Sequence, residues 1–395
     1  MATSVGVGSS RQSDAFGAGR EAILQATQAI GTTNPDVILA FGSTCFEQET
    51  LLKGILSIPS GALMVGCSSA GEILTSGPSR RSVVVMAIKS DTLQAASGLG
   101  LSMRKNPRQA GRDAATQSIQ AKLSSPRGFF MFPDGLTGNV AEVLRGVQDV
   151  LGLSFPVIGA CAADDFGFTQ TYQYFQGEVY TDAVPGLLLA GPISVGVGAR
   201  HGWRPLGKPR HVTRAFANVV QELDGLSAVN LYETYFGKAA GSLKSESFVD
   251  MSILYPLGMT VPAEEEYLLR NVLQVEPDGQ LIYAGEIPEG SEVRLMMGSK
   301  AKALEAARKA AELAALAIAP QSPSFAFVFS SCSRSRLFGR RAGEEIRAVQ
   351  RVLGSDVPLV GFYDYGEQAP LSASGFRGLS HFLNESVVVA AVAAP

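Results

Sequence analysis

Histidine and cysteine are scarce in this 395-residue chain, which holds three of the first and four of the second. His201, His211 and His381 are nowhere spaced to hold one metal ion from a single element, so a histidine-built zinc or iron site of that kind has no support. Cys45, Cys67, Cys161 and Cys332 form no C-x-x-C pair and are too few for a disulfide framework. They read as reduced thiols, which points to the cytoplasm. Charged residues are sparse too, at 17% against roughly 25% in an average globular domain. With 46% hydrophobic residues, that excludes intrinsic disorder. Lys and Arg total 33 against 36 Asp and Glu, for a net charge of -3. No basic excess exists to bind a phosphate backbone, so a nucleic-acid partner is not expected.

The first ten residues lack the basic region and apolar core of a secretory signal. Two apolar stretches invite a membrane reading. Residues 183–199 contain Pro185, Gly186, Gly191, Pro192, Gly196 and Gly198, and residues 313–333 are split by Pro320 and Pro323. A lipid-exposed helix of about 20 residues tolerates neither pattern, so no membrane span is expected.

What the chain has in quantity is glycine, 43 residues, set among 20 prolines. Three segments share one plan. The first runs from the apolar Asp36–Phe41 through the polar Gly42-Ser-Thr44 to a helical stretch near 47–56, then to Ala62–Val65 and Gly66-Cys-Ser-Ser-Ala-Gly-Glu72, and closes at Ser82–Ile88. The second comprises Gly128–Phe132, Pro133-Asp-Gly135, a helix near 139–151, Phe155–Ile158, Gly159–Asp165 and Leu187–Ala190. The third comprises Phe325–Phe329, Ser330–Ser333, a helix near 342–353, Pro358–Val360, Gly361–Glu367 and Val387–Val392. Continuous apolar runs mark buried strands, and the pattern predicts strand–helix–strand–turn–strand units in a mixed α/β fold of two lobes. In each segment an acid stands six places after the glycine: Glu72, Asp165 and Glu367. Helices are also expected over 18–30 and 300–318. The basic segment 102–112 reads as a solvated connection, and 201–214 as an interlobe boundary.

Chemistry gathers at the strand ends. The Cys332 loop lies beside Arg334, Arg336, Arg340 and Arg341, which would suit a carboxylate or phosphate. Helix capping and a solvated turn, with Glu344 and Glu345 as partners, explain the same residues. Cys67 and Cys161 follow buried strands and could be nucleophiles, or thiols that simply pack. The recurring acids could be general bases or could bind turn N–H groups. His201, beside the single tryptophan Trp203, and His381 could ligate haem iron or could hold turns.

Gly66–Glu72 resembles the glycine-rich signature of the FIST N-terminal domain. His201-Gly-Trp-Arg-Pro205 is similar to the segment closing that domain, and is followed by Val219–Gly225 and Ala228–Tyr232. Tyr255–Gly258, Phe338–Glu345 and Val357–Glu367 resemble the FIST C-terminal domain. The resemblance implies an N-terminal helix region over 1–34, a FIST N-like domain over 35–225 and a FIST C-like domain over 226–395. It also implies a sensory or ligand-binding module of the F-box and intracellular signal transduction type, with amino acids among the proposed ligands. FIST-like residues run to the last strand, so the expected effector is a separate protein partner. Some relatives are similar to haem-based sensors. Their final strand commonly follows a Phe-His-Asn triplet, and here Leu383 stands in place of that histidine, with His381 two residues earlier.

The expectation is therefore a binding protein for a small molecule such as an amino acid or small anion, with no metal and no cofactor. Its expected contacts are Cys67, Ser68, Glu72, Cys161, Asp165, Cys332, Arg334, Arg336, Tyr363, Tyr365 and Glu367. An interaction scaffold, a haem sensor using His201 or His381, and a cysteine-dependent enzyme are the alternatives.

Overall fold

The computed structural model describes residues 3–58, 60–237, 251–262, 264, 266–371 and 379–395. Each repeat begins one strand and one helix earlier than the apolar runs indicate. The first comprises β1 (Ser4–Ser10), α1 (Ala15–Ile30), β2 (Val37–Ser43), α2 (Gln48–Ile55) and β3 (Leu63–Ser69). A hairpin of β4 (Glu72–Leu74) and β5 (Gly77–Ser79) follows, and β6 (Val83–Lys89) closes the copy. The second takes the same course through β7 (Gln94–Leu101), α3 (Pro107–Ile119), β8 (Pro126–Met131), α4 (Val140–Leu151) and β9 (Val157–Ala160). It ends with the hairpin β10 (Gln173–Phe175) and β11 (Glu178–Tyr180), then β12 (Ala183–Ala190).

The third copy opens with β13 (Ser194–Arg200) and is then interrupted by an inserted sheet. That insertion holds β14 (Arg204–Phe216), β15 (Val219–Leu223), β16 (Leu226–Ser227), α5 (Asn230–Phe236), β17 (Leu257–Met259), β18 (Leu268–Arg270), β19 (Val272–Val275), β20 (Leu281–Tyr283) and β21 (Glu292–Met297). The copy resumes with α6 (Lys300–Ile318), β22 (Phe325–Ser331), α7 (Cys332–Phe338), α8 (Ala342–Leu353) and β23 (Leu359–Asp364). Its hairpin is β24 (Glu367–Pro370) with β25 (Ser380–Leu383), and β26 (Val387–Ala393) ends it.

Within each copy four strands form one mixed sheet, in the orders β1-β6-β2-β3, β7-β12-β8-β9 and β13-β26-β22-β23. The helical segment between the last two strands of each order makes the parallel crossover between them. The hairpins are exchanged. β4 pairs with β23, β24 with β9, and β10 with β3, so each copy completes the sheet of another in a closed cycle. The inner faces of the three sheets share one apolar core. At its centre the equivalent residues Phe41, Phe132 and Phe329 meet, with ring centroids 5.3, 6.4 and 5.9 Å apart. Separate apolar clusters lie beneath the helices on the outer faces.

The abundance of glycine follows from this packing. Gly66, Gly159 and Gly361 stand opposite Ala40, Met131 and Val328 across the parallel pairs. A Cβ at those glycines would come within 1.8, 2.0 and 1.7 Å of the facing carbonyl oxygens. The first strand of each copy likewise presents a Gly-x-Gly to an alanine ridge. Gly8, Gly100 and Gly198 lie so close to α1, α3 and α6 that a Cβ would meet the carbonyls of Ala22, Ala110 and Ala310 at 2.0, 1.9 and 2.0 Å.

One expectation about a connection is corrected, and a second segment proves to be a strand. Segment 102–112 runs into α3: Pro107 occupies the first turn, where its missing N–H costs nothing, and Asn106 caps the helix by accepting from the Gln109 N–H. Segment 201–214 lies largely in β14, with Gly207 and Pro209 at a register shift, where proline is tolerated in a strand. Among the described residues, no helix is long and apolar enough to cross a membrane.

Gly361→Ala is expected to lower the unfolding free energy by about 3 kcal/mol, because the obstructing atom is backbone. Gly61→Ala, where an added Cβ has no neighbour within 4 Å, should change it by no more than about 0.5 kcal/mol. Urea denaturation compares them, and equal stabilities would contradict the close-approach argument.

Candidate functional site

The sequence equates Glu72, Asp165 and Glu367, but the sheet register does not. Glu72 pairs with Phe362, Glu367 with Ala160, and Gln173 with Cys67, so Gln173 is the second-copy equivalent. The difference arises because β3 and β4, like β23 and β24, are joined by a tight turn, whereas a long connection separates β9 from β10. Asp165 belongs to that connection and serves another purpose. Its carboxylate accepts from Ser43 Oγ (2.6 Å), the Thr44 N–H (2.9 Å) and Thr44 Oγ1 (3.0 Å), which closes the first-copy strand-end loop.

At the corresponding strand end of the third copy, Ser331, Cys332 and Ser333 line a cavity of about 510 Å³. Three units enclose it. The second copy supplies the 135–140 segment and Phe166 and Phe168, and the third copy supplies the start of α7 with Tyr365, Phe382 and Asn384. The inserted sheet forms the rest through residues that include Asn218, Ile253, Asn271, Val272 and Glu286.

Asp164 shapes the aromatic wall. Its carboxylate accepts from the N–H groups of Phe168, Thr169 and Gln170 at 2.7–3.0 Å and from the Tyr365 hydroxyl at 2.5 Å. The loop it gathers holds Asp165, Phe166 and Phe168 at φ of 52°, 68° and 51°. Phe168 stacks on Tyr365 with centroids 4.7 Å apart, and the Arg336 guanidinium lies 4.8 Å from the Phe166 ring centroid. Glu286 is engaged by Arg145 (2.7 Å) and by Asn139 Nδ2 (2.6 Å). Asn271 and Asn384 each carry an amide oxygen with no hydrogen-bond partner among the described residues.

Buried acids lie behind the cavity. Asp364 and Glu367 face each other with no exposure. Burial pushes Asp364 up to about 7, and burial together with the Asp364 charge raises Glu367 well above the usual carboxylate range. Two ionised carboxylates facing each other in a desolvated site repel, which favours retention of a proton by the pair. Glu385 is raised to about 8 by burial, only partly offset by Ser333 and Asn271. Burial also raises the thiols of Cys67, Cys161 and Cys332, and no neighbouring group among the described residues fully offsets it.

Of the expected contacts, the fold brings Cys332, Arg336 and Tyr365 into the cavity lining and places the others elsewhere. Arg334 is fully buried. It pairs with Glu345 at 2.6 Å and donates to the carbonyls of His201 (2.6 Å) and Ala303 (2.8 Å), while Arg341 pairs with Glu344 at 2.7 Å. Cys67 lies in the central core, and Cys161 receives Gln368 Nε2 at 3.2 Å. Ser68 Oγ donates to the Ala163 carbonyl at 2.6 Å, Glu72 accepts from Ser69 and Ser82, and Tyr363 is buried beneath the outer helices. His201 accepts from the Trp203 N–H on Nδ1 and sets Nε2 2.8 Å from Glu266. His381 Nε2 faces Glu264 at 3.7 Å, and neither histidine lines the cavity. Sequence reasoning missed Asp164, Phe166, Phe168, Asn271, Phe382 and Asn384. Asp164-Asp-Phe-Gly-Phe168, a turn composition carrying two aromatics, was the available signal.

Arg334→Met should cost about 3–5 kcal/mol, because it strands Glu345 as an uncompensated buried charge. The double change Arg334→Met with Glu345→Leu should recover most of that in urea denaturation; a double variant no more stable than the single would count against this account. A pH effect follows from the raised carboxyls. Glu72 (about 8), Glu385 (about 8) and Asp364 (about 7) keep protons when folded that the unfolded chain releases near its ordinary values of 4.5 and 3.8. Their stabilising effect is full at acid pH and is lost as pH rises through the folded values. His381, lowered to about 4 by burial, acts oppositely only below about 6.5. Stability should therefore fall from pH 6.5 to 8, and Glu72→Gln should flatten that decline; a rising profile would contradict the assignment.

Comparison with known proteins places the chain. It is 25% identical over 388 residues to an uncharacterized protein of Mycobacterium tuberculosis, covering 93% of this chain and 95% of that one. It is 30% identical over 178 residues to an uncharacterized protein of Methanocaldococcus jannaschii, covering 42% of this chain and 34% of that one. Among solved structures, cyanuric acid hydrolase from A. caulinodans aligns over 99% of both chains with a TM-score of 0.36 and 10% identity. A chorismatase aligns over 100% of this chain and 99% of its own, with a TM-score of 0.36 and 8% identity. The FIST N domain matches residues 36–226 and the FIST C domain matches residues 228–370, so the chain belongs to the FIST family, whose domains are associated with signal transduction.

Proposed function

We propose that this chain is a cytoplasmic sensory protein that binds a small molecule bearing a carboxylate or similar anionic group, and that binding is read by a separate protein partner. The observation that carries this reading is the cavity of about 510 Å³ where the second copy, the third copy and the inserted sheet meet. That volume falls in the range of about 300–1,000 Å³ common for ligand pockets. Its composition supports the reading, with apolar and aromatic walls, Arg336 at one side, and Ser331, Ser333, Asn271 and Asn384 as hydrogen-bonding groups. A ligand touching three units would favour one relative arrangement of them, which is what a partner can detect. The raised thiols favour binding over cysteine chemistry.

A scaffold role has one observation in its favour. Phe216, Leu226 and Leu273 of the inserted sheet are 79%, 59% and 55% exposed, and they offer apolar surface to a partner whether or not a ligand is present.

Native mass spectrometry of protein purified from its own cell should show a bound small molecule. Ala284→Trp, which fills the cavity from its lining, should abolish that mass while leaving circular dichroism unchanged. Protein that carries no small molecule and shows no saturable heat with metabolite acids would overturn the reading in favour of the scaffold.

A further inference from the structure

We infer that the arginine face gathered around residues 78–81 is a docking surface for a partner protein, and that it takes a short acidic segment of that partner. This rests on the reading that a separate protein detects the ligand, and it names where that protein touches and by what chemistry.

Exposed arginines converge on the end of β5. Arg80 and Arg81 follow the strand directly, and Arg11 donates from Nε to Ser79 Oγ at 2.9 Å. Arg347 reaches Pro78 from α8: Arg347 Nη1 and Pro78 Cδ lie 3.1 and 3.7 Å from where a Gly343 Cβ would stand. Arg351 is one turn further along the same helix. Two copies build this face, because the hairpin of β4 and β5 belongs to the first and α8 to the third. Gln350 Nε2 donates to the Thr75 carbonyl, and the Leu359 N–H donates to Thr75 Oγ1 at 3.0 Å, so the hairpin is fastened to the third copy.

These cations are not neutralised in place. Among the described residues no acid lies within ion-pair distance of Arg11, Arg80, Arg81, Arg347 or Arg351. The acids nearby are already engaged. Arg341 pairs with Glu344 at 2.7 Å and holds it below the usual carboxylate range, with smaller contributions from Arg347 and Arg351. Glu21 accepts from Ser10 Oγ and Gln12 Nε2, and Glu345 is buried against Arg334. Glu72, paired across the hairpin with Ser79, is pushed up to about 8 by burial and is mostly protonated at neutral pH. Elsewhere on the surface Arg108, Arg112, Arg145 and Arg210 each hold an acid at 2.7–3.1 Å.

The chemistry of the face selects its occupant. Every cation in it is arginine, whose planar fork matches a carboxylate with two parallel hydrogen bonds. β5 is an edge strand, but Pro78 at its centre blunts backbone pairing, so recognition passes through side chains. The whole chain carries a net charge of -3, so the surface beyond this face is acidic in balance. A nucleic-acid duplex or an anionic membrane would meet repulsion there, whereas a short acidic segment touches the arginines alone. The face is also coupled to the cavity. Arg80 Nη2 donates to Ser335 Oγ at 3.3 Å in α7, the helix whose first residues, Cys332 and Ser333, line the cavity. A ligand that displaces the start of α7 would displace a docking cation with it.

The test uses the full chain and a fluorescein-labelled Asp-Ser repeat peptide of about twelve residues, beside its Asn-Ser counterpart. Fluorescence anisotropy should show saturable binding of the acidic peptide, about tenfold tighter than the neutral one and weakened by added salt. The double change Arg81→Gln with Arg347→Gln should remove about tenfold of that affinity, with an unchanged thermal melt showing that the fold is intact. Arg127→Gln, at an exposed arginine of β8, should leave it unchanged. No binding of the acidic peptide, or binding indifferent to Arg81 and Arg347, overturns this inference; a small molecule in the native mass spectrum would still uphold the cavity reading. Tighter binding of phosphatidylserine vesicles or of single-stranded DNA through the same arginines also overturns it, because the occupant is then not a protein. Peptide bound through these arginines by a chain that carries no small molecule upholds the surface and overturns the cavity reading instead.

Discussion

The exchange of hairpins among the three repeats is the constraint on which the rest of the structure depends. Because β4, β10 and β24 each pair in another copy's sheet, no copy holds a complete sheet on its own. The cycle closes only when all three are present, and closure brings Phe41, Phe132 and Phe329 together at the centre. Within each copy, close approach across the parallel pair is possible because Gly66, Gly159 and Gly361 leave room for the facing carbonyls of Ala40, Met131 and Val328. The same closure buries polar strand ends such as Ser43, Ser69 and Ser330. Each strand end must then find partners inside the protein.

The three junctions solve that problem differently, and the differences create the site. The first-copy strand end is closed by Asp165, which reaches it through the long connection of the second copy. At the third-copy strand end, α7 and the inserted sheet leave space instead, and the other face of the same connection supplies Phe166 and Phe168. Arg334 ties this arrangement together from beneath. It joins α7 to α8 through Glu345, to the start of the insertion through the His201 carbonyl, and to α6 through Ala303. A buried ion pair of this kind contributes little net stability over an apolar pair, but loss of one partner is severe, which is why it constrains geometry.

The repeated strands, the crossover helices over 47–56, 139–151 and 342–353, and the FIST family were legible from apolar runs and motif order. The first strand and helix of each copy were harder to see. β1, β7 and β13 are interrupted by glycines and carry little continuous hydrophobicity, so the Gly-x-Gly against alanine packing has no signature until both elements are known. Cys332, Arg336 and Tyr365, which line the cavity, stood out in the sequence because they lie on strand-end loops beside charge. Arg334, two residues from Arg336, carried the same sequence signal, yet the α7 turn directs one guanidinium into the core and the other toward Phe166. Spacing along a chain does not report which way a side chain points once a loop becomes a short helix.

The sequence by itself determined the mixed α/β class, the internal repetition and the family, because these follow from local patterns of apolar runs, glycine and ordered motifs. Only the tertiary structure decided which residues are equivalent and which meet. The acid six places after each glycine illustrates this: register equates Glu72 and Glu367 with Gln173, since an insertion in one connection shifts sequence spacing without shifting hydrogen-bonded partners. Likewise the cavity is assembled from two repeats and an insertion far apart in the chain, and the raised carboxyls at Asp364, Glu367 and Glu385 come from burial created by that assembly. Burial and contact are properties of the closed cycle, so no single segment carries them.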